Sequence, residues 1–375
     1  MRLCSLPSPC YIIDKAALTG NLQLLHQVMQ ASGCKILLAQ KAFAAYALYP
    51  LIGSYLSGAA ASGLFEARLS REEMGKETHV FSPAFREDEI GEILGYADHI
   101  VFNSLDQWRR FGALTVEAGV EAGLRINPEC STQSGPAIYD PCAPGSRLGI
   151  VTGAMPDRLP AGVSGLHFHT LCEQNADALS VTMAAVEEKF ARQLRQISWL
   201  NMGGGHHITR AGYDLDQLYR LLRRVREDYG LQIYLEPGEA VALNAGYLYC
   251  TVLDIVENRG QIAILDASAA CHMPDVLEMP YRPPLLDAAM PGEKPYTYRL
   301  AGPTCLAGDV IGEYSFDRPL RPGSALLFAD MAIYTMVKNN TFNGMALPAI
   351  AIKEGDDDYS LLKTFAYEDF KGRLC

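Results

Sequence analysis

The sequence predicts a (β/α)8 barrel carrying a mainly β second domain, an α/β plus β architecture. Three observations carry that expectation. Eight short apolar runs recur over the first two-thirds of the chain, at 36–40, 55–60, 78–82, 99–103, 123–127, 164–169, 199–203 and 232–236. Stretches with helical spacing lie between most of them, for example 87–96, 176–196 and 214–229. After about residue 240 the alternation stops, and apolar runs at 247–256, 261–265, 325–328 and 347–352 are separated by turn-rich sequence. Buried parallel strands read as nearly continuous apolar runs. Eight strand–helix units suit a closed barrel better than an open sheet. The expected barrel spans 14–240, and the expected β domain combines 1–13 with 241–375.

The individual elements have local reasons. Asp14 and Asp214 precede apolar-periodic segments, so each is expected to cap a helix N-terminus. Residues 10–13 are a further candidate strand. The segment 128–160, rich in Pro, Gly and Ser, is too long for a plain connection and is expected to be a functional loop. Runs separated by 280–284 and 319–323, both rich in Pro, read as strands and turns.

Composition narrows the functional classes. The 375 residues are 49% hydrophobic and 20% charged, with 33 Gly and 21 Pro, which fits a globular chain rather than a fibrous or disordered one. The net charge of −11 comes without a basic block, so neither nucleic acid nor an anionic membrane is an expected partner. That charge suits a cationic small molecule. No run reaches the ~18 apolar residues of a membrane span, and the first residues lack the apolar core of a secretory leader. The ten cysteines form no CxxC pair, so reduced thiols and a cytoplasmic location are expected.

In such a barrel, chemistry sits where the strands end. The first run leads into Lys41, the sixth ends at His169, the seventh runs into Gly203-Gly204-Gly205-His206-His207, and the eighth ends at Glu236, followed by Glu239. A lysine at an apolar strand's mouth is partly desolvated, which favours the neutral amine that attacks carbonyl carbon; a snorkelling surface lysine is the bland alternative. Three glycines let backbone N–H groups approach an anion, although a tight turn uses them equally well. Glu236 needs a partner if buried, either a cationic ring N–H or a group of the protein. His169 is expected to stack on an aromatic ring or to bond to backbone, with His167 on the opposite strand face. The HxH and HH pairs lack a third ligand at sensible spacing, so no metal is expected. A second cluster, His272, Asp275, Cys305, Asp309 and Tyr334, lies in the β domain, where turns alone would also explain it.

These motifs carry a resemblance. LLAQKAF, HFHTLCE, LNMGGGHH, LEPGEA, GPTCLAGD and ADMAIYT resemble the fold-type III pyridoxal-phosphate enzymes, which include ornithine, arginine and diaminopimelate decarboxylases and alanine racemase. HMPDVLEMPYRP resembles the branch of that family acting on carboxynorspermidine and carboxyspermidine. The resemblance implies pyridoxal 5'-phosphate as cofactor and decarboxylation yielding norspermidine or spermidine in polyamine synthesis. It implies that Lys41 binds the cofactor, His169 stacks on it, Gly203, Gly204 and Gly205 hold its phosphate with Tyr334 nearby, and Glu236 pairs with its ring nitrogen. It further implies a homodimer in which Cys305, the proton donor, and Asp309 serve the other subunit's site. Where ornithine and diaminopimelate decarboxylases carry an arginine after EPG, this chain has Glu239. Glu239, Asp275, Asp309 and His272 are therefore expected around a cationic substrate, and His206 or the glycine N–H groups are expected to compensate for the lost arginine. The alternatives are another basic amino-acid decarboxylase, a racemase, a non-catalytic homologue, and, more remotely, a glycosidase using Glu236 and Glu239, which are too close in sequence to flank a sugar from both faces.

Overall fold

The computed structural model describes residues 1–133, 135 and 137–375, so residues 134 and 136 of the long loop lie outside the described residues. The strands in chain order are β1 (Cys10–Asp14), β2 (Lys35–Ala39), β3 (Gly58–Ala61), β4 (Glu77–Phe81), β5 (His99–Phe102), β6 (Glu121–Asn127), β7 (Ile150–Val151), β8 (Val163–His167), β9 (Trp199–Asn201), β10 (Gln232–Leu235), β11 (Gly246–Glu257), β12 (Gln261–Leu265), β13 (Tyr296–Ala301), β14 (Val310–Phe316), β15 (Ala325–Ala329), β16 (Ala349–Gly355) and β17 (Asp358–Lys363). The chain divides into two compact units, one of Asn21–Val241 and one of Met1–Gly20 with Ala242–Cys375.

In the first unit, β2, β3, β4, β5, β6, β8, β9 and β10 pair in that order, all parallel, and β10 returns to β2. This is a closed eight-stranded barrel. Helices follow the strands. Asp214, an expected cap, accepts the Gln217 N–H at the start of Leu215–Tyr229, and Ser104 accepts the Gln107 N–H at the start of Leu105–Glu117. Within the 128–160 loop, β7 adds a short parallel pairing to β6.

The barrel interior is layered, because alternate residues of each strand point inward. One layer holds Leu37, Val101 and Trp199, with Tyr234 beside them. Trp199 fits because its neighbours lack side chains. A Cβ on Gly165 would lie 1.9 Å from the indole, and one on Gly123 would lie 2.3 Å from it. Toward the C-terminal rim the next layer is polar: Arg125, His167 and Asn201 are all buried. The Arg125 guanidinium covers the Phe81 ring at 4.6 Å, so its apolar face is packed rather than wasted.

The second unit is one sheet in the order β14-β13-β12-β11-β1-β16-β17, with β15 also paired to β11. β1 is thus a central strand, antiparallel to β11 and parallel to β16. Asp14 ends it and caps the following helix by accepting from the Ala17 N–H at 3.0 Å. Tyr11, Leu248, Leu265, Leu300, Ile311 and Phe328 are buried in this unit's main core.

Candidate active site

The C-terminal rim of the barrel gathers the residues that the strand ends pointed to. Lys41 lies two residues beyond β2 and is exposed at the rim. Desolvation lowers its amine pKa, opposed by the Glu236 carboxylate and reinforced by the Arg125 charge. Among the described residues its Nζ makes no hydrogen bond.

Glu236 follows β10 and faces the barrel axis. Its Oε1 accepts from Asn201 Nδ2 at 2.7 Å, and its Oε2 lies 3.3 Å from His167 Nε2. Burial alone would raise its pKa, but the His167 contact and the Asn201 amide outweigh this and hold the carboxyl ionised, well below the usual range. Burial keeps His167 neutral. The expectation that His167 faces away from His169 is corrected here: residues two apart on a strand share a face, and His167 points into the barrel beside Glu236. β8 itself ends at His167, so His169 belongs to the loop beyond it.

His169 is held from two sides. Its Nδ1 accepts the Gly204 N–H at 2.9 Å, and its carbonyl accepts from Arg125 Nη2 at 3.1 Å. Desolvation and the nearby cations Lys41 and Arg125 push its pKa well below the ordinary histidine value. The neutral ring therefore carries its proton on Nε2.

The glycine run is required by close approach. A Cβ on Gly204 would lie 2.0 Å from the Glu236 carbonyl, and one on Gly205, whose φ is +84°, would lie 1.8 Å from the Leu171 carbonyl. Gly203 donates to Asn201 Oδ1 at 2.9 Å and accepts from the Glu236 N–H at 2.7 Å. Two of the three glycine N–H groups are thus used inside the protein. Among the described residues, the N–H groups of Gly205 and His206 have no protein acceptor.

Beyond this loop, His207 Nε2 meets Glu239 Oε2 at 2.7 Å, and the ring's buried Nδ1 has no partner. His206 is fully buried, with Nδ1 2.8 Å from the Tyr213 hydroxyl. Desolvation lowers its pKa to about 4. His206 is therefore neutral at physiological pH, and its side chain does not replace the missing arginine's charge.

In the sheet unit the expected cluster separates into different environments. Cys305 is exposed, and its N–H is 3.4 Å from Asn343 Oδ1. Tyr334 adopts φ +50°, a costly conformation for an aromatic residue. Asp275 is ion-paired to Lys338, which also pairs with Glu278. Two of the residues expected around the substrate are engaged within their own unit. His272 is fully buried, accepts the Ser268 N–H at Nδ1 (3.2 Å) and donates from Nε2 to the Ala346 carbonyl (3.0 Å), so no ring nitrogen remains for a substrate. Asp309 is buried and accepts from Ser268 Oγ at 2.8 Å, Thr304 Oγ1 at 2.7 Å and the Ala270 N–H at 3.2 Å. Both of its oxygens brace the loops of its own unit.

The residues that strand-end reasoning missed are Arg125, His167 and Asn201. HFH and LNM contained two of them, but only the inward parity of β8 and β9 marks them as contacts of Glu236.

A lysine with a lowered amine pKa near a largely buried, ionised carboxylate suits a carbonyl cofactor. Residues 10–332 match the family described as "Pyridoxal-dependent decarboxylase, C-terminal sheet domain". The chain is 44% identical to a carboxynorspermidine/carboxyspermidine decarboxylase of Campylobacter jejuni, over 98% of either chain. It is also 44% identical to a carboxyaminopropylagmatine decarboxylase of Synechocystis, covering 100% of this chain and 97% of that one. The crystal structure of the Campylobacter jejuni carboxynorspermidine decarboxylase complexed with norspermidine superposes with a TM-score of 0.92 at 43% identity, covering 98% of this chain and 100% of that one. The fold and rim thus define a pyridoxal-dependent decarboxylase of the barrel-plus-sheet type. Within that class, the chain belongs to the carboxynorspermidine/carboxyspermidine decarboxylase family.

Proposed function

We propose that this enzyme decarboxylates carboxynorspermidine or carboxyspermidine to the corresponding triamine, with Lys41 binding pyridoxal phosphate. The observation that carries the reading is the pairing of Lys41, its amine pKa lowered, with Glu236, held ionised beside neutral His167. The residues present fit the cofactor. Glu236 is a buried anion able to receive a ring N–H. His169 offers a neutral ring face. Gly205 and His206 offer two uncommitted backbone N–H groups for a phosphate. When bound, the cofactor supplies the electron sink that lets a carboxylate leave as CO2.

The chain's own groups do the rest. Glu236 keeps its partner nitrogen protonated, and Asn201 and His167 hold Glu236 in place. Lys41 would hold the cofactor through its aldehyde group. Glu239 uses the oxygen not engaged by His207 to receive an ammonium of the substrate tail. Such a charge-assisted bond is worth about 1.5–3 kcal/mol, enough to favour a polyamine over an uncharged tail. Asp275, whose Oδ1 is held by Lys338, is a second acceptor. The reading includes a homodimer in which Cys305 of one copy returns a proton to the carbon that lost CO2 in the other copy's site; its support is the exposed thiol. Ten unpaired cysteines support a cytoplasmic location.

The similarity to the Synechocystis enzyme sets a competing substrate, carboxyaminopropylagmatine, whose tail ends in a guanidinium. The test is to incubate the holoenzyme with carboxynorspermidine, carboxyspermidine, carboxyaminopropylagmatine, diaminopimelate and ornithine and to identify the amines formed. Triamine formed most efficiently from the first two is the expected result. Highest kcat/KM on carboxyaminopropylagmatine, or turnover of diaminopimelate alone, overturns it.

A further inference from the structure

The base of the barrel, at the strand N-termini opposite the Lys41 rim, holds a polar cluster that the decarboxylation reading does not use. Glu77 and His79 alternate along β4 and point inward, and His99 opens β5. The two imidazoles stack with centroids 3.9 Å apart and planes 10° apart. His79 Nε2 lies 3.4 Å from Glu77 Oε2. One donor atom from each of the three residues falls within 4.8 Å of the other two. His79 is 2% exposed and His99 9%, yet the buried Nδ1 of each has no hydrogen-bond partner. Interior barrel layers are normally filled by Val, Ile and Leu. Two imidazoles with orphaned nitrogens are a poor substitute for aliphatic packing, because each buries a polar atom without compensation.

We propose that Glu77, His79 and His99 form a binding site for a divalent transition-metal ion of the zinc class. Two imidazole nitrogens and one carboxylate oxygen are a donor set that zinc takes, leaving a fourth position for water. That water has a source: Glu77 and His99 also line a solvent-open cleft of about 730 Å³, together with Asp98 and Glu121. Closing the three donors around one ion requires the His99 ring to turn out of the stack. Its χ2 torsion is intrinsically broad, and its unbonded Nδ1 does not resist the turn. Lys35 is the resident cation, ion-paired to Glu77 and within 3.4 Å of the Tyr234 hydroxyl. Its side chain is 37% exposed, so it can withdraw to solvent when a metal takes the carboxylate. The site ties β4 to β5 at the end of the barrel away from Lys41, so its role is structural.

The experiment uses chelator-treated holoenzyme titrated with ZnCl2 by calorimetry and with CoCl2 by visible absorption, where tetrahedral coordination gives intense d–d bands. One ion per chain is expected. The double variant His79→Gln/His99→Gln weakens that binding by roughly two orders of magnitude. Lys35→Met removes the competing cation and tightens binding about tenfold or more, an effect opposite in sign to the lost ion pair of a purely structural cluster. Should the double variant not fold, His99→Gln at the cleft edge takes its place and carries the same expected loss. Binding well below one ion per chain, binding that the histidine variants leave unchanged, or no tightening in Lys35→Met each overturns the proposal.

Discussion

His207 and Glu239 come from the ends of successive barrel strands and meet at 2.7 Å, Nε2 to Oε2. Glu239 occupies the position after EPG where related decarboxylases carry an arginine, so a cation is replaced by an anion already bound to an imidazole. The rim is thereby less positive, and among the described residues the other carboxylate oxygen has no hydrogen-bond partner.

Glu239→Gln tests what that oxygen does. Loss of a charge-assisted contact costs about 1.5–3 kcal/mol, or roughly 10- to 150-fold in kcat/KM for the triamine precursor. Cofactor affinity should stay within about twofold. Steady-state kinetics beside a pyridoxal-phosphate titration separates the two, and a fall in cofactor affinity alone would place Glu239 with the phosphate.

Lys41→Ala should remove the protein-linked absorbance of the cofactor together with activity. Added primary amine should restore part of the turnover, because the fold around the site does not depend on the Lys41 side chain. Activity retained at the wild-type level would sink the role of Lys41.

Asn201 bridges Glu236 and the Gly203 N–H, so Asn201→Ala removes two bonds at once. Each stranded polar group costs about 1–3 kcal/mol. The expected result is a lower midpoint in urea, together with weaker cofactor binding as Glu236 loses one of its two holders. An unchanged midpoint would contradict this account of the polar layer.

Acid stability follows from buried histidines. Burial pushes His206 and His272 down to about 4 from an unfolded value near 6.5. Above pH 6.5 both are neutral in either state and contribute nothing. Between pH 6.5 and about 4 the unfolded chain takes up protons that the folded chain refuses, so stability falls with pH, by up to about 3 kcal/mol for each histidine. Below about 4 the folded chain protonates them as well, and the penalty stops growing. Urea unfolding at pH 7.5, 6 and 5 should show the decline, and His272→Gln should flatten it.

Parts of the site were legible in sequence because strand ends are sequence positions. Lys41, Gly203–Gly205, Glu236 and Glu239 each follow an apolar run directly, and a barrel brings all such positions to one rim. β13, β14 and β17 were not legible. Tyr296–Ala301 alternates exposed and buried residues, Asp358–Lys363 is exposed except at Tyr359, and Gly312-Glu313 interrupts Val310–Phe316, so no apolar run marks them. Arg125 was hidden for a related reason, since an arginine inside GLRIN looks like a surface residue until β6 turns that face inward.

The sequence by itself determined the barrel, the attached sheet and the lysine–carboxylate pair, because the period of burial and the order of strands are local properties. Only the tertiary structure decided which acids and histidines remain available. His272 and Asp309 are spent on their own unit's loops, Asp275 on Lys338, and His167 on Glu236. Several of their partners lie 39 to 74 residues away, and no spacing along the chain encodes whether a polar group is already satisfied.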